Sequence, residues 1–177
     1  MPMKTKSSGK FISIFILLFL TNAFEIQAQS SVNLKAGIGV PEWANFAAGI
    51  QSENIQFTIG IGSLPFPDDK LFALNGNLYL HMLGDETLLG FYPWYLRSGL
   101  TYMKESRPNW IDTYTYLDFR IGKTFYLGDH FTIEADAGIG IELSYKRQEI
   151  LPSSSFLLIH FPVVPELGVR LVYSINI

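Results

Sequence analysis

The stretch FTIEADAGIGIELSY, Phe131 to Tyr145, carries Glu134, Asp136 and Glu142 at even positions, so one strand would present three carboxylates on one face. Such a set can do general acid and base chemistry, or it can pair with cations as a salt-bridge network. Cations suited to the second role stand at Lys35, Arg97, Arg120 and Arg170, and Asp118 adds a further acid. The histidines His81, His130 and His160 are too scattered for a metal-ligand spacing. Asp68, Asp69, Asp85 and Glu86 read as loop and turn solvation. No glycine-rich stretch leads into a helix, so a phosphate cradle is excluded, and no cofactor is expected.

These groups need a scaffold, and composition bounds it. The chain has 177 residues, 48% hydrophobic and only 16% charged, with a formal net charge of -3, which gives no electrostatic case for nucleic acid. It contains no cysteine, which excludes disulfides, cysteine-ligated zinc and a lipid-modified N-terminal cysteine.

The first 28 residues read as a signal peptide. Lys4, Lys6 and Lys10 precede the apolar run FISIFILLFL, Phe11 to Leu20, and a small residue follows at Ala28. Cleavage after Ala28 is preferred, with Ala23 as the alternative site. The apolar run is half of the ~20 residues that a spanning helix needs. Residues 29–177 form the second unit; removing 28 of the 177 residues leaves 149.

Alternation of apolar and polar residues fills this unit, with no convincing helix. VNLKAGIGV sets Val32, Leu34, Ala36, Ile38 and Val40 opposite Asn33, Lys35, Gly37 and Gly39. WANFAAGIQ and IQFTIGIG follow, then a strand with Phe72 to Met82. The segment Leu88 to Met103 is interrupted by Pro93, where a bulge or bend is expected. Leu117 to Phe125, Phe131 to Tyr145 and a last strand containing ELGVRLVYSINI complete eight, at about 19 residues per strand and connection. Lys123 falls on the apolar face, by snorkelling or through a local bulge. SEN, GDE and GDH make tight turns, whereas SLPFPDDK, KESRPNW and KRQEILPSSS are longer loops; the Pro41–Glu42 connection is short where this series calls for a loop.

Alternation alone does not say which face is inside. Three features favour the polar one. Glycines such as Gly37, Gly60, Gly122, Gly138, Gly140 and Gly168 crowd it, as a narrow barrel interior requires. It also carries charges of both signs, Glu166 among them. Aromatics cluster at strand ends, at Trp43, Tyr92, Trp94, Tyr102, Trp110, Tyr126, Phe131 and Tyr145. Phe131 and Tyr145 fall on one face in strict alternation, roughly 46 Å apart along a strand and about 35 Å along a membrane normal, which suits two interfacial girdles.

The chain from Ser30 to Ile177 thus resembles the small outer-membrane β-barrel proteins of Gram-negative bacteria, the class of the OmpA membrane domain, OmpX and OmpW. The resemblance implies an all-β, eight-stranded antiparallel up-and-down transmembrane barrel. Its most specific motif is ELGVRLVY, similar to the C-terminal signal read by the barrel-assembly machinery, with Glu166, Gly168, Leu171 and Tyr173 in the signal positions. DAGIGIEL also fits this pattern, and the chain ends at Ile177 rather than in an aromatic.

The expected partners are outer-membrane lipid and the assembly machinery, with an unidentified extracellular ligand. The expected role is structural, adhesive or envelope-interacting, through the outer loops and without catalysis. Two alternatives stand beside it. A lipid A-modifying enzyme would use His160 with Ser153, Ser154 or Ser155, although no His-x-Ser arrangement is present. A secreted soluble barrel would turn its apolar face inward around a small apolar ligand.

Overall fold

The computed structural model describes residues 30–64, 70–84, 92–150 and 162–177. The expectations on the signal segment, Asp68, Asp69, Asp85, Glu86, Ser153 to Ser155 and His160 lie outside these residues.

Eight strands follow one another: β1 Ser30–Val40, β2 Trp43–Ser52, β3 Ile55–Ser63, β4 Lys70–Leu83, β5 Trp94–Ser106, β6 Trp110–Tyr126, β7 Phe131–Glu149 and β8 Val163–Asn176. Each pairs antiparallel with its sequence neighbours, and β1 closes against β8 from Ser31↔Asn176 to Val40↔Leu167. Closure leaves no strand edge unpaired.

Alternation of side chains becomes alternation of environment. Outward positions are large and apolar, with Ile38 70% and Phe46 64% exposed, whereas inward positions are polar and buried, with Thr101 and Asp118 fully enclosed. The polar face is therefore the inside, and the inward-facing apolar core expected of a soluble barrel is not adopted. The apolar side chains inside, such as Leu71, Ala73, Met103 and Tyr116, form a small cluster toward one mouth.

Three boundaries differ from the sequence expectation. The loop KESRPNW shrinks to residues 107–109, because Lys104 and Glu105 pair with Thr113 and Asp112 as strand residues. β7 likewise runs on to Glu149, so Lys146 to Glu149 belong to the sheet. Polar sequence marks where the apolar band ends; backbone pairing continues past it, and ion pairs hold the extension. The third concerns β5, which begins at Trp94, directly after the bend expected at Pro93. The nearby irregularity falls on β4 between His81 and Leu83, opposite Trp94.

A further irregularity redirects several side chains. Thr115 pairs with Ser144 and Tyr116 with Glu142, leaving Leu143 as an extra residue on β7. Beyond it the inward parity shifts to odd numbers. Tyr145 consequently turns inward, where it stacks on Tyr114 with centroids 5.1 Å apart. The expected girdle pair of Phe131 and Tyr145 is thus not formed: Phe131 faces out against Tyr173, at 5.1 Å between centroids, and Tyr145 does not. Trp110 and Tyr126 also fall on the inward parity of β6, whereas Trp43, Trp94 and Tyr102 are exposed. No bulge occurs at Lys123, which pairs with Trp94 and Ala135 in regular register.

Two ends can be distinguished. Ser30, Asn176 and the connections at residues 53–54 and 127–130 define a turn end; the connections at 41–42 and 107–109 lie at the opposite, loop end.

Candidate functional site

The inward positions of β1, β5, β6, β7 and β8 converge on one network. Lys35 Nζ lies 2.7 Å from Glu134 Oε1, donates to Gln56 Oε1 at 3.0 Å and sits 4.0 Å above the Tyr79 ring. Arg170 joins the same acids, with Nε 3.5 Å from Glu134 and Nη2 paired to Asp136. Asp136 also receives Arg97 and Arg120, each at 3.4 Å, and the Tyr95 hydroxyl at 3.2 Å. Arg120 Nε reaches Glu166 at 2.7 Å. Asp118 accepts the Thr101 hydroxyl at 2.5 Å.

Glu142, placed in this group by sequence, is half-buried and lies beside the Leu143 irregularity. Its backbone N–H donates to the Pro162 carbonyl at 2.8 Å. Glu142 stands six residues further along β7 than Asp136, toward the loop end, and pairs with Tyr116.

Glu42 was missed by sequence reasoning. It belongs to the short connection between β1 and β2, yet it is only 1% exposed and bridges Arg97 and Arg120 at 3.1 Å each. A Pro-Glu pair between strands reads as a solvated turn, and the signal that could have exposed it was the missing loop itself. A connection too short to leave the barrel folds its acid back into the mouth.

Glycines make this density possible. A side chain at Gly122 would fall within the Tyr95 ring, and a Cβ at Gly168 would stand 2.9 Å from both Arg170 Nη1 and Asp136 Oδ1. The interior of eight strands is just wide enough for side chains to fill. Here the fill is ionic: Lys35, Arg97, Arg120 and Arg170 face Glu42, Asp118, Glu134, Asp136 and Glu166, all buried. Charges removed from water must pair well, since an uncompensated one costs several kcal/mol.

The turn end is looser. A cavity of about 20 Å³ there is lined by Ser31, Asn33, Gln51, His81 and Thr132, room for about one water molecule. His81 Nδ1 donates to the Tyr92 carbonyl at 3.0 Å, and its ring lies 5.4 Å from Tyr95 and 6.5 Å from Tyr79. His130 bonds the Ser174 carbonyl at 3.2 Å in an exposed turn. Both histidines thus turn Nδ1 to a backbone carbonyl. Among the described residues no cluster of three metal-ligating side chains occurs.

The loop end has its own clasp. Arg147 donates twice to Asp112, at 2.7 and 2.6 Å, and Tyr145 donates at 3.1 Å. Burial opposes the charge on Asp112, but these donors prevail and hold its carboxyl below the usual range. The outward residues beside this clasp, Lys104, Thr113 and Lys146, are polar, so it lies beyond the apolar band.

The chain is an all-antiparallel, eight-stranded barrel with an ionic interior and an apolar exterior. No protein-family model matches the sequence, and no curated protein matches it significantly. Among solved structures, it is similar to the N-terminal β-barrel domain of OprF from Pseudomonas aeruginosa, with TM-score 0.56 and 12% identity over 84% of this chain and 100% of that one. Neisserial surface protein A (NspA) aligns with TM-score 0.46 and 10% identity, over 85% of this chain and 96% of that one. What the OprF domain shares with this chain is the barrel fold.

Proposed function

We propose that this chain is an integral outer-membrane barrel, exported through a signal peptide cleaved after Ala28, which serves the envelope through its outer loops and carries out no catalysis. The observation that carries this reading is the inversion of the barrel. Soluble monomers rarely expose apolar patches above a few hundred Å². Here the apolar face runs around every strand, from Leu34 and Ile38 on β1 to Val169 and Leu171 on β8. Such a surface is matched by hydrocarbon, and the backbone is satisfied by closure.

On this reading the turn end is periplasmic and the loop end extracellular. The ion-paired interior argues for a plug rather than a solute path. Glu166 and Gly168 of the proposed assembly signal point inward, Leu171 and Tyr173 outward, and all four are paired with β1 or β7 in the closed barrel. Recognition by the assembly machinery then precedes closure.

Fractionation with heat-modifiable gel mobility tests the reading. Recovery with the outer membrane and a mobility that changes on boiling are expected. A soluble mature protein whose mobility ignores boiling would overturn it.

A further inference from the structure

Outward residues on β5, β6 and β7 form rows across the sheet. Nearest the turn end is Trp94–Lys123–Ala135; the next is Leu96–Ile121–Ala137, and the next Ser98–Phe119–Ile139. Small side chains in these rows leave a depression of about 410 Å³, floored by Ser98 and Ala137 and walled by Leu80, Leu96, Phe119 and Ile121. Its volume falls in the ~300–1,000 Å³ range of small-molecule sites. Lys123 stands one row beyond Ile121 on the same face, about 7 Å along the strand.

Lys123 is the only lysine or arginine among the described residues that faces outward at the turn end. Its ammonium lies 5.3 Å from the Trp94 ring and 5.4 Å from that of Phe125. A lysine held between aromatics is an interfacial arrangement: the stem lies on apolar surface and the charge sits at headgroup depth. On its β7 side it is flanked by Ala135, which leaves the ammonium unobstructed there.

We propose that this surface binds one glycerophospholipid of the periplasmic leaflet. Lys123 receives the phosphate, and one acyl chain lies over Ala135 and Ala137 into the depression. The inference rests on the outer-membrane reading, which makes the turn end periplasmic. Charge complementarity selects the occupant, because an uncharged glyceride offers Lys123 no partner.

The test is native mass spectrometry of the full mature barrel released from detergent, with phosphatidylglycerol or a diacylglycerol of the same chains added. One phosphatidylglycerol per barrel is expected on the wild type and on Lys123→Arg. Retention should fall about fivefold in Lys123→Gln, the weight of one interfacial lysine toward an anionic headgroup. Ala137→Leu, which fills the floor, should lower it with the charge intact. Equal retention by wild type and Lys123→Gln, or of diacylglycerol and phosphatidylglycerol, overturns the site. Heat-modifiable mobility of the same samples separates the two failures. A detergent-free soluble barrel sinks the membrane reading, whereas a folded barrel indifferent to Lys123 sinks only the lipid site.

Discussion

Glu42 and Arg120 meet inside the barrel with Oε2 and Nη2 3.1 Å apart, although 78 residues separate them in sequence. The acid comes from a two-residue connection and the base from the middle of β6. Glu42 therefore fastens the β1–β2 connection to the far wall, through Arg120 and through Arg97. Glu42→Gln should destabilise the barrel by about 3 kcal/mol, the lower range for breaking a buried pair. Urea unfolding in detergent, followed by tryptophan fluorescence, measures this; a loss within about 0.5 kcal/mol, the range of ordinary surface changes, would mean that the contact is incidental.

The central network holds five buried acids against four bases, so removing an acid that holds a single base should cost less than removing a base. Glu166→Gln keeps the shape, leaves four of each and gives up one cation, Arg120, which Glu42 and Asp136 still hold, whereas Glu42→Gln loosens two. Glu166→Gln should therefore cost less than about 1 kcal/mol. Lys35→Met widens the imbalance and deprives Glu134 of its nearest cation, leaving Arg170 at 3.5 Å, so a cost of about 3 kcal/mol is expected. The two variants are compared by the same urea series. Equal costs would show that local packing, not the charge count, governs the interior.

Alternation along FTIEADAGIGIELSY made both faces of β7 legible as far as Ile141, because a period of two survives any regular pairing. The identity of the inner face was also legible, through glycines and charges that a solvated face would not combine. What followed Glu142 was not. A single extra residue exchanges the two faces, and nothing in Leu143, an ordinary apolar residue at an apolar position, marks it as the unpaired one. Tyr145 was misplaced for that reason. Glu42 was lost for another, since reading a turn as solvated presumes that its backbone leads outward.

The displaced register supplies its own test. Deleting Leu143 would restore strict pairing on β7 while keeping Tyr145 and Arg147 inward, so the barrel should remain folded and within about 1 kcal/mol of wild type. Deleting Ile139 instead lets the extra residue absorb the loss only by exchanging the faces of residues 140–143, which turns Glu142 outward and Ile141 and Leu143 inward. Heat-modifiable mobility of the two deletions decides. A folded Ile139 deletion, or an unfolded Leu143 deletion, would contradict the assigned register.

Asp112 carries a pH dependence whose sign follows from its partners. Its carboxyl is held below the usual range by Arg147 and Tyr145, against the opposing effect of burial. A depressed carboxyl stabilises the folded state fully above the unfolded value of about 3.9, and that contribution is lost as pH falls through the folded value. Wild type should exceed Asp112→Asn in stability by about 1 kcal/mol at neutral pH, as for a bidentate pair near the surface. The gap should persist down to about pH 4 and close below it. Thermal unfolding of both proteins across this range reads the difference directly, and a gap that instead widened with acidification would place the stabilising charge on another group.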